Sequence, residues 1–332
     1  MGGAQALILW LLASVAIGCA GTWLAIRYAL RRKLLDQPGE RRSHHVATPR
    51  GGGISIVVVL LVALAALAIG FPEYAIAVAC AGAGLAAVAA IGWIDDHRPL
   101  SPWLRLGIHA LAGLLLAAAI HLLGGGGLDV VLAFLGALVL TNVWNFMDGI
   151  DGLAASQAAL VAAAWALFAG QGPVLWLGLA LAAGLCGFLP FNLPRARIFL
   201  GDVGSGALGY ALAGLLALAA IWSGPRRWLL LSLPLLPFLV DASLTLSARI
   251  LRGEAWWRPH VQHAYQAWAR ALGNHPRVTT AYGLATLLAI TVMFGMRSFG
   301  TAFIMFMYVT LVLGGGLSWR WLRGMDQEDV SN

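Results

Sequence analysis

The chain has 332 residues, 60% of them hydrophobic and only 11% charged, with a net charge of +7 and a mean hydropathy of +0.83. A soluble domain carries about 25% charged residues, so the composition excludes a soluble globular protein and points to an integral membrane chain. The positive charge would suit nucleic acid, but the basic residues lie between apolar runs and form no stripe, which excludes nucleic acid as a partner.

A membrane-crossing helix needs about 20 apolar residues. Runs of roughly that kind cover 4–30, 53–71, 75–94, 103–123, 128–145, 153–170, 173–190, 205–222, 228–250, 279–296 and 299–321. Gly, Pro and charge clusters separate them. Backbone groups in lipid have no water to pair with, so the runs are predicted as helices; the alternating pattern of a barrel is absent. The first run is too long for a signal-peptide core and is predicted as the first span. Cys19, Cys80 and Cys186 fall inside the runs and are expected as small buried hydrophobes. The expected architecture is an all-α polytopic bundle of about eleven transmembrane helices, one integral-membrane catalytic domain over 1–332.

Charge placement sets the orientation. Arg226, Arg227 and Arg297 follow even-numbered runs, and the other Lys and Arg residues, out of 21, all follow odd-numbered ones. The positive-inside rule then puts the N-terminus outside and the C-terminus and odd-run loops in the cytoplasm. Of the 14 acids, only Glu73 and Asp129 fall in external connections. Asp95, Asp96, Asp148, Asp151 and Asp202 all stand at cytoplasmic ends of runs. Five carboxylates from three separate loops at one membrane depth are costly, which marks them as functional.

In chain order, the basic, Gly-ended loop Leu35–Gly53 serves as a topology determinant and as a contributor to anionic-substrate binding. Asp95 and Asp96 are adjacent; their repulsion calls for a divalent cation, a basic partner such as Arg98, or a shared proton. Next comes Asn142-Val-Trp-Asn145-Phe-Met-Asp148-Gly-Ile-Asp151-Gly-Leu-Ala. On a helix Asn142, Asn145 and Asp148 share a face, and the two glycines let backbone approach a ligand. In Phe191-Asn192-Leu-Pro-Arg195-Ala-Arg197-Ile-Phe-Leu-Gly-Asp202-Val-Gly-Ser-Gly, a Gly-rich bend opens a helix whose free N–H groups suit an anion. Asp202 in that bend suits Mg²⁺, which prefers carboxylate and phosphate oxygens together, and Arg195 and Arg197 suit phosphate. Asp241 stands alone inside a run, to be paired with a neighbouring helix or Arg249, or else functional. Last, in Trp257-Arg258-Pro-His260-Val-Gln-His263-Ala-Tyr-Gln266, two His at i, i+3 lack a third ligand for zinc. With Arg258 they suit a pyrophosphate or sugar.

The ordered set resembles the polyprenyl-phosphate N-acetylhexosamine-1-phosphate transferases, from about Asp36 to Gln266. The run Asn-x-x-Asn-x-x-Asp-Gly-Ile-Asp-Gly-Leu-Ala and Phe-Leu-Gly-Asp-Val-Gly-Ser carry most of the resemblance. It implies a bundle of ten or eleven helices with a cytoplasmic active-site cleft in the bacterial inner membrane. It implies Asp202 as Mg²⁺ ligand (Mn²⁺ as substitute) and Asp95 and Asp96 as the acidic pair engaging lipid phosphate or metal, with Asp95 as general base. Asn145, Asp148, Asp151 and Asn192 would hold the nucleotide-sugar. The lipid I enzymes have three adjacent His; the form here, His-x-x-His-x-Tyr-Gln, is closer to the O-antigen-initiating branch. The expected reaction joins a UDP-N-acetylhexosamine to undecaprenyl phosphate by direct displacement or through an aspartyl-phosphate, with oligomeric state open and a homodimer as one option. A lipid I-type transferase is the alternative within the family. A CDP-alcohol phosphatidyltransferase is disfavoured because Ser156 stands where its signature has Arg. An ion-coupled transporter is disfavoured because only Asp241 lies well inside a run.

Overall fold

The computed structural model describes residues 3–37, 47–223, 227–258 and 260–328. Arg41, Arg42, Arg226 and Pro259 therefore lie outside the described residues. The chain is a bundle of helices: α1 (Gly3–Arg32), α2 (Ile54–Gly70), α3 (Ala75–His97), α4 (Pro102–Leu122), α5 (Gly127–Phe146), α6 (Leu153–Ala169) and α7 (Gly172–Asn192). They are followed by α8 (Gly201–Ser223), α9 (Arg227–Ser232), α10 (Leu236–Leu251), α11 (Ala264–Leu272), α12 (His275–Gly295) and α13 (Thr301–Glu328). The only sheet among the described residues pairs β1 (Leu35–Asp36) antiparallel with β2 (Thr48–Pro49).

Nine helical segments among the described residues are long and apolar enough to cross a membrane. The apolar helices α2 and α6, at 17 residues each, are shorter. Together these segments fall on the apolar runs of the sequence, and the chain is a polytopic all-α membrane protein. Local chemistry sets the ends. Proline occupies the first turn of α4, α7, α10 and α12, where its missing N–H costs nothing. The run 228–250 is not one helix: a 3₁₀ turn at Leu233–Leu235 divides α9 from α10, because Pro234 and Pro237 remove donors. The short amphipathic α11 lies between the apolar runs 228–250 and 279–296.

Helix α8 is the axis of the fold. Its span is 83% buried, against 17% for α1 and 6% for α13, whose faces are left to lipid. It packs against α3 and α5, whose ends carry the acidic motifs. The three cysteines are free, but they depart from the expected burial: Cys19 and Cys186 are exposed and Cys80 is half-buried. An apolar thiol costs nothing on a lipid-facing surface, so burial is not required of it.

Candidate active site

The first turn of α8 lies directly against the last turns of α3. A Cβ at Gly92 would fall 2.4 Å from the Asp202 carbonyl oxygen, so only glycine permits the approach. Asp96, 2% exposed, uses this closeness: its Oδ1 accepts the Asp202 N–H at 3.0 Å and its Oδ2 the Val203 N–H at 3.2 Å. The helix N-terminus expected to be open to an anion is thus capped by a side chain of the protein. Arg50 donates to the Asp96 carbonyl and brings its Nε to 3.9 Å from Oδ1. The glycines ending the basic loop are pinned here too, with Gly52 and Gly53 N–H bonded to the Phe199 and Leu200 carbonyls at 2.9 Å.

Asp95 points the other way. Its Oδ1 accepts the Leu100 N–H at 2.6 Å, and its Oδ2 lies 2.8 Å from Arg105 Nη1. The same nitrogen is 3.0 Å from Asp202 Oδ2, so two carboxylates 107 positions apart converge on one guanidinium nitrogen. Asn145 completes the corner: its Oδ1 accepts from Arg105 Nη2 at 3.2 Å, and its Nδ2 donates to Asp202 Oδ1 at 2.7 Å and Ser205 Oγ at 3.0 Å. Asp148 stands beyond the end of α5, in the turn before α6. Burial, together with the charges of Asp202 and Asp96, pushes its carboxyl well above the usual range.

A cavity of about 450 Å³ opens beside this corner. Its lining includes Asp95, Arg105, Asn142, Asn145 and Asp148 on one side, and Arg258, His260, His263 and Gln266 on the other. The two His precede α11 instead of sharing a helical face; their rings are 4.9 Å apart. Burial and the neighbouring His263 and Arg249 bring His260 down to about 4, so it is neutral at pH 7. Its Nδ1 accepts the Gln262 N–H at 3.2 Å, which places the proton on Nε2. His263 Nδ1 lies 3.5 Å from Asp241 Oδ1. Asp241 itself accepts the N–H groups of Ala264 and Tyr265 at 2.9 and 3.1 Å and the hydroxyls of Tyr282 and Thr245 at 2.7 and 3.2 Å. It fixes the start of α11, and Arg249 pairs instead with Glu254 at 2.9 Å.

The remaining expected residues stand elsewhere, and none of them lines the cavity. Asp151 Oδ2 is 3.4 Å from His275 Nδ1, and its carbonyl accepts from Thr279. Asn192, 4% exposed, ties the two motif loops together: Oδ1 accepts the Gly152 N–H and Nδ2 donates to the Ile198 carbonyl. Arg195 is exposed, and Arg197 folds back over the Phe191 ring and donates to the Pro190 carbonyl. Arg98 makes way for Arg105 and Arg50 as the cations of the acidic pair.

Residues 77–220 match glycosyl transferase family 4. A decaprenyl-phosphate N-acetylglucosaminephosphotransferase of Mycobacterium leprae is 30% identical over an alignment covering 82% of this chain and 77% of that protein. The chain belongs to glycosyl transferase family 4. An undecaprenyl-phosphate alpha-N-acetylglucosaminyl 1-phosphate transferase of Thermotoga maritima is 26% identical, over 86% of this chain and 88% of its own length. A phospho-N-acetylmuramoyl-pentapeptide-transferase of Synechococcus is 37% identical over 57% of this chain, which spans 60% of that relative's length.

The site of this glycosyl transferase family 4 chain suits a hard divalent cation. No three His, Cys, Asp or Glu side chains among the described residues converge as a metal-ligand group. Asp95 Oδ2 and Asp202 Oδ2 nevertheless meet at a single cationic nitrogen. Two carboxylates completed by substrate phosphates are the usual provision for Mg²⁺. Arg105 is the residue that sequence reasoning missed. It sits one short loop after the Asp pair, on the first turn of α4, and in the sequence it reads only as a topology charge. Ser205 and Arg50 lie inside segments read from the sequence, the Phe-Leu-Gly-Asp-Val-Gly-Ser run and the basic loop, but neither is singled out there as a site residue.

Proposed function

We propose that the chain transfers N-acetylhexosamine-1-phosphate from a UDP-sugar to undecaprenyl phosphate, releasing UMP, at the cytoplasmic face of a bacterial inner membrane. The observation that carries this reading is the convergence of Asp95 and Asp202 on Arg105 beside the Arg258–His260 wall. Asp95, which meets Asp202 at Arg105, then faces one cavity together with donors for a diphosphate. The family and the polyprenyl-phosphate transferase names of the relatives support the reaction class. The skew of basic loops supports the cytoplasmic face.

In this reading a phosphate oxygen of the lipid attacks the phosphorus bonded to the sugar. The bond from that phosphorus to the oxygen bridging the diphosphate breaks, and UMP leaves with that oxygen. A phosphate monoester carries about −1.5 to −2 charge at pH 7, so repulsion between two anions is the main barrier. Bound at Asp202 and Asp95, Mg²⁺ (or Mn²⁺ in its place) supplies charge neutralisation for the diphosphate. Arg105 and Arg258 add positive charge, and His260 presents Nε2–H as a neutral donor. Asn145 holds Asp202 in line, and Asp96 holds the α8 terminus that carries it. Asp95 takes the last proton of the lipid phosphate; such base catalysis is worth about 10²–10⁴-fold. Asp148, whose carboxyl is held above its ordinary range by burial and the charges of Asp202 and Asp96, lines the cavity and hydrogen-bonds the nucleotide-sugar. Positioning and electrostatics dominate phosphoryl transfer of this kind.

The test is UMP release by the purified protein from a panel of UDP-N-acetylhexosamines. Release that requires both Mg²⁺ and polyprenyl phosphate is expected. Release without the lipid, or none with any donor, overturns the proposal.

A further inference from the structure

The transfer chemistry leaves one end of the cavity unused. There Trp103, on the first turn of α4, meets Trp256 and Trp257 of the loop after α10. The Trp103 ring lies 5.8 Å from Trp256 at 85° and 6.1 Å from Trp257 at 39°, and the latter two are 5.6 Å apart at 88°. Edge-to-face packing leaves ring faces open, and the three remain 56%, 40% and 44% exposed. Pro99, Leu100, Pro102 and Leu106 complete this apolar end. The loop is fixed from behind by Arg249, 4% exposed, which donates to Glu254 at 2.9 Å and to the carbonyls of Ala255, Trp256 and Arg258 at 3.0, 3.3 and 3.2 Å. A buried guanidinium with four acceptors on one five-residue stretch presents the two indoles at a set place.

We infer that the Trp103–Trp256–Trp257 wall binds the pyranose ring of the donor sugar. This rests on the transferase reading above and names the part of the cavity that reads the sugar. Of the three parts of a UDP-sugar, the uridine and the N-acetylhexosamine carry no charge, and the hexosamine presents a face of C–H bonds that an indole can cover. The diphosphate belongs at the polar end with Arg105, Arg258 and the Asp95–Asp202 pair. Arg258 directly follows Trp257, so a sugar bonded to a phosphate held at Arg258 falls on the indoles. An outward-facing aromatic belt would also put tryptophans at a membrane interface. These three instead line the cavity and pack on one another from two separate elements.

The experiment uses the full chain and the variants Trp103→Ala and Trp257→Ala, each paired with its Phe counterpart. It reads three constants: KM for UDP-N-acetylglucosamine at saturating lipid, KM for polyprenyl phosphate at saturating donor, and the inhibition constant of UMP, which lacks the sugar. Loss of one ring is expected to raise the donor KM about 5- to 10-fold, as the loss of one aromatic contact does. The Phe variants should recover most of the loss, with the UMP constant and the lipid KM unchanged. Trp→Leu variants keep apolar bulk without an aromatic face and give the same comparison where alanine prevents folding. A parallel rise in the UMP constant assigns the rings to the nucleotide and overturns the inference. A rise in the lipid KM alone assigns them to the acceptor and overturns it as well, as do well-folded variants with wild-type constants. A wild-type protein inactive with every donor fails at the transferase reading itself, whereas an active wild type with unaffected variants fails only here.

Discussion

Two buried aspartates, Asp96 and Asp241, perform the same local task in different surroundings. Each accepts two consecutive backbone N–H groups at the start of a helix, α8 and α11 respectively. Asp241 adds two neutral hydroxyls, Tyr282 and Thr245, and is satisfied where it stands. Asp96 is instead crowded by the charge of Asp202, with Arg50 offsetting part of the repulsion. A cap built from neutral donors needs nothing further. A cap inside a group of like charges is stable only with cations, and an arrangement that is electrostatically costly points to function more than to folding.

The largest effect is expected at the centre of the crowded corner. Asp202→Asn removes the charge that meets Arg105 and should lower the rate of UMP release about 10²–10³-fold, the scale of losing one preorganised electrostatic group. Its melting temperature should change little, because loss of the Arg105 ion pair is offset in part by relief of the repulsion from Asp95 and Asp96. Asp241→Asn should do the reverse. Its amide places a donor against donors in a buried network, at a cost of about 3 kcal/mol. Melting should fall, while the folded fraction keeps near-wild-type specific activity. A dead but fully stable Asp241→Asn protein would erase the distinction between the two caps.

Asp96→Asn tests the comparison more finely. Losing a charged acceptor costs about 1.5–3 kcal/mol, but relief of repulsion from Asp202 returns part of it. The variant is therefore expected to melt between wild type and Asp241→Asn in a thermal scan of all three. Melting below Asp241→Asn would show that Arg50 already cancels the crowding.

The same contrast explains what was legible in the chain. Hydropathy marked the apolar helices, because lipid forces every backbone group into helix. Asp95, Asn145, Asp148 and Asp202 carried local patterns at helix ends, and the fold brings them to one corner. The role of Asp96 was not legible, since Asp95 and Asp96 are equivalent in sequence and only the approach of α8 at Gly92 turns them to different partners. Arg105 was hidden for a related reason: a lone Arg at a helix start signals topology until two carboxylates from elsewhere close on it. Arg195 and Arg197 show the opposite failure. Proximity in sequence to Asp202 suggested a phosphate clamp, yet the turn at 193–200 sends Arg197 back onto Phe191.

The smallest effect is a pH dependence at Asp148, which shares the crowding but caps nothing. Below about pH 4 its carboxyl is protonated in both folded and unfolded chains, so it contributes no difference in stability. As pH rises past that point the unfolded chain releases the proton. The folded chain keeps it, because burial and the charges of Asp202 and Asp96 hold the carboxyl well above its ordinary range. At this site the folded state then binds more protons than the unfolded one, so the Asp148 contribution to wild-type stability falls with rising pH across that window. The amide of the Asp148→Asn variant cannot ionise, so that protein escapes the fall. The melting difference between Asp148→Asn and wild type should be near its minimum at about pH 4 and grow in favour of the variant as pH rises above it. Added Mg²⁺ should shrink that difference by compensating the cluster. A difference that does not change with pH would mean that Asp148 feels neither its burial nor its neighbours, and that the corner is less crowded than its geometry requires.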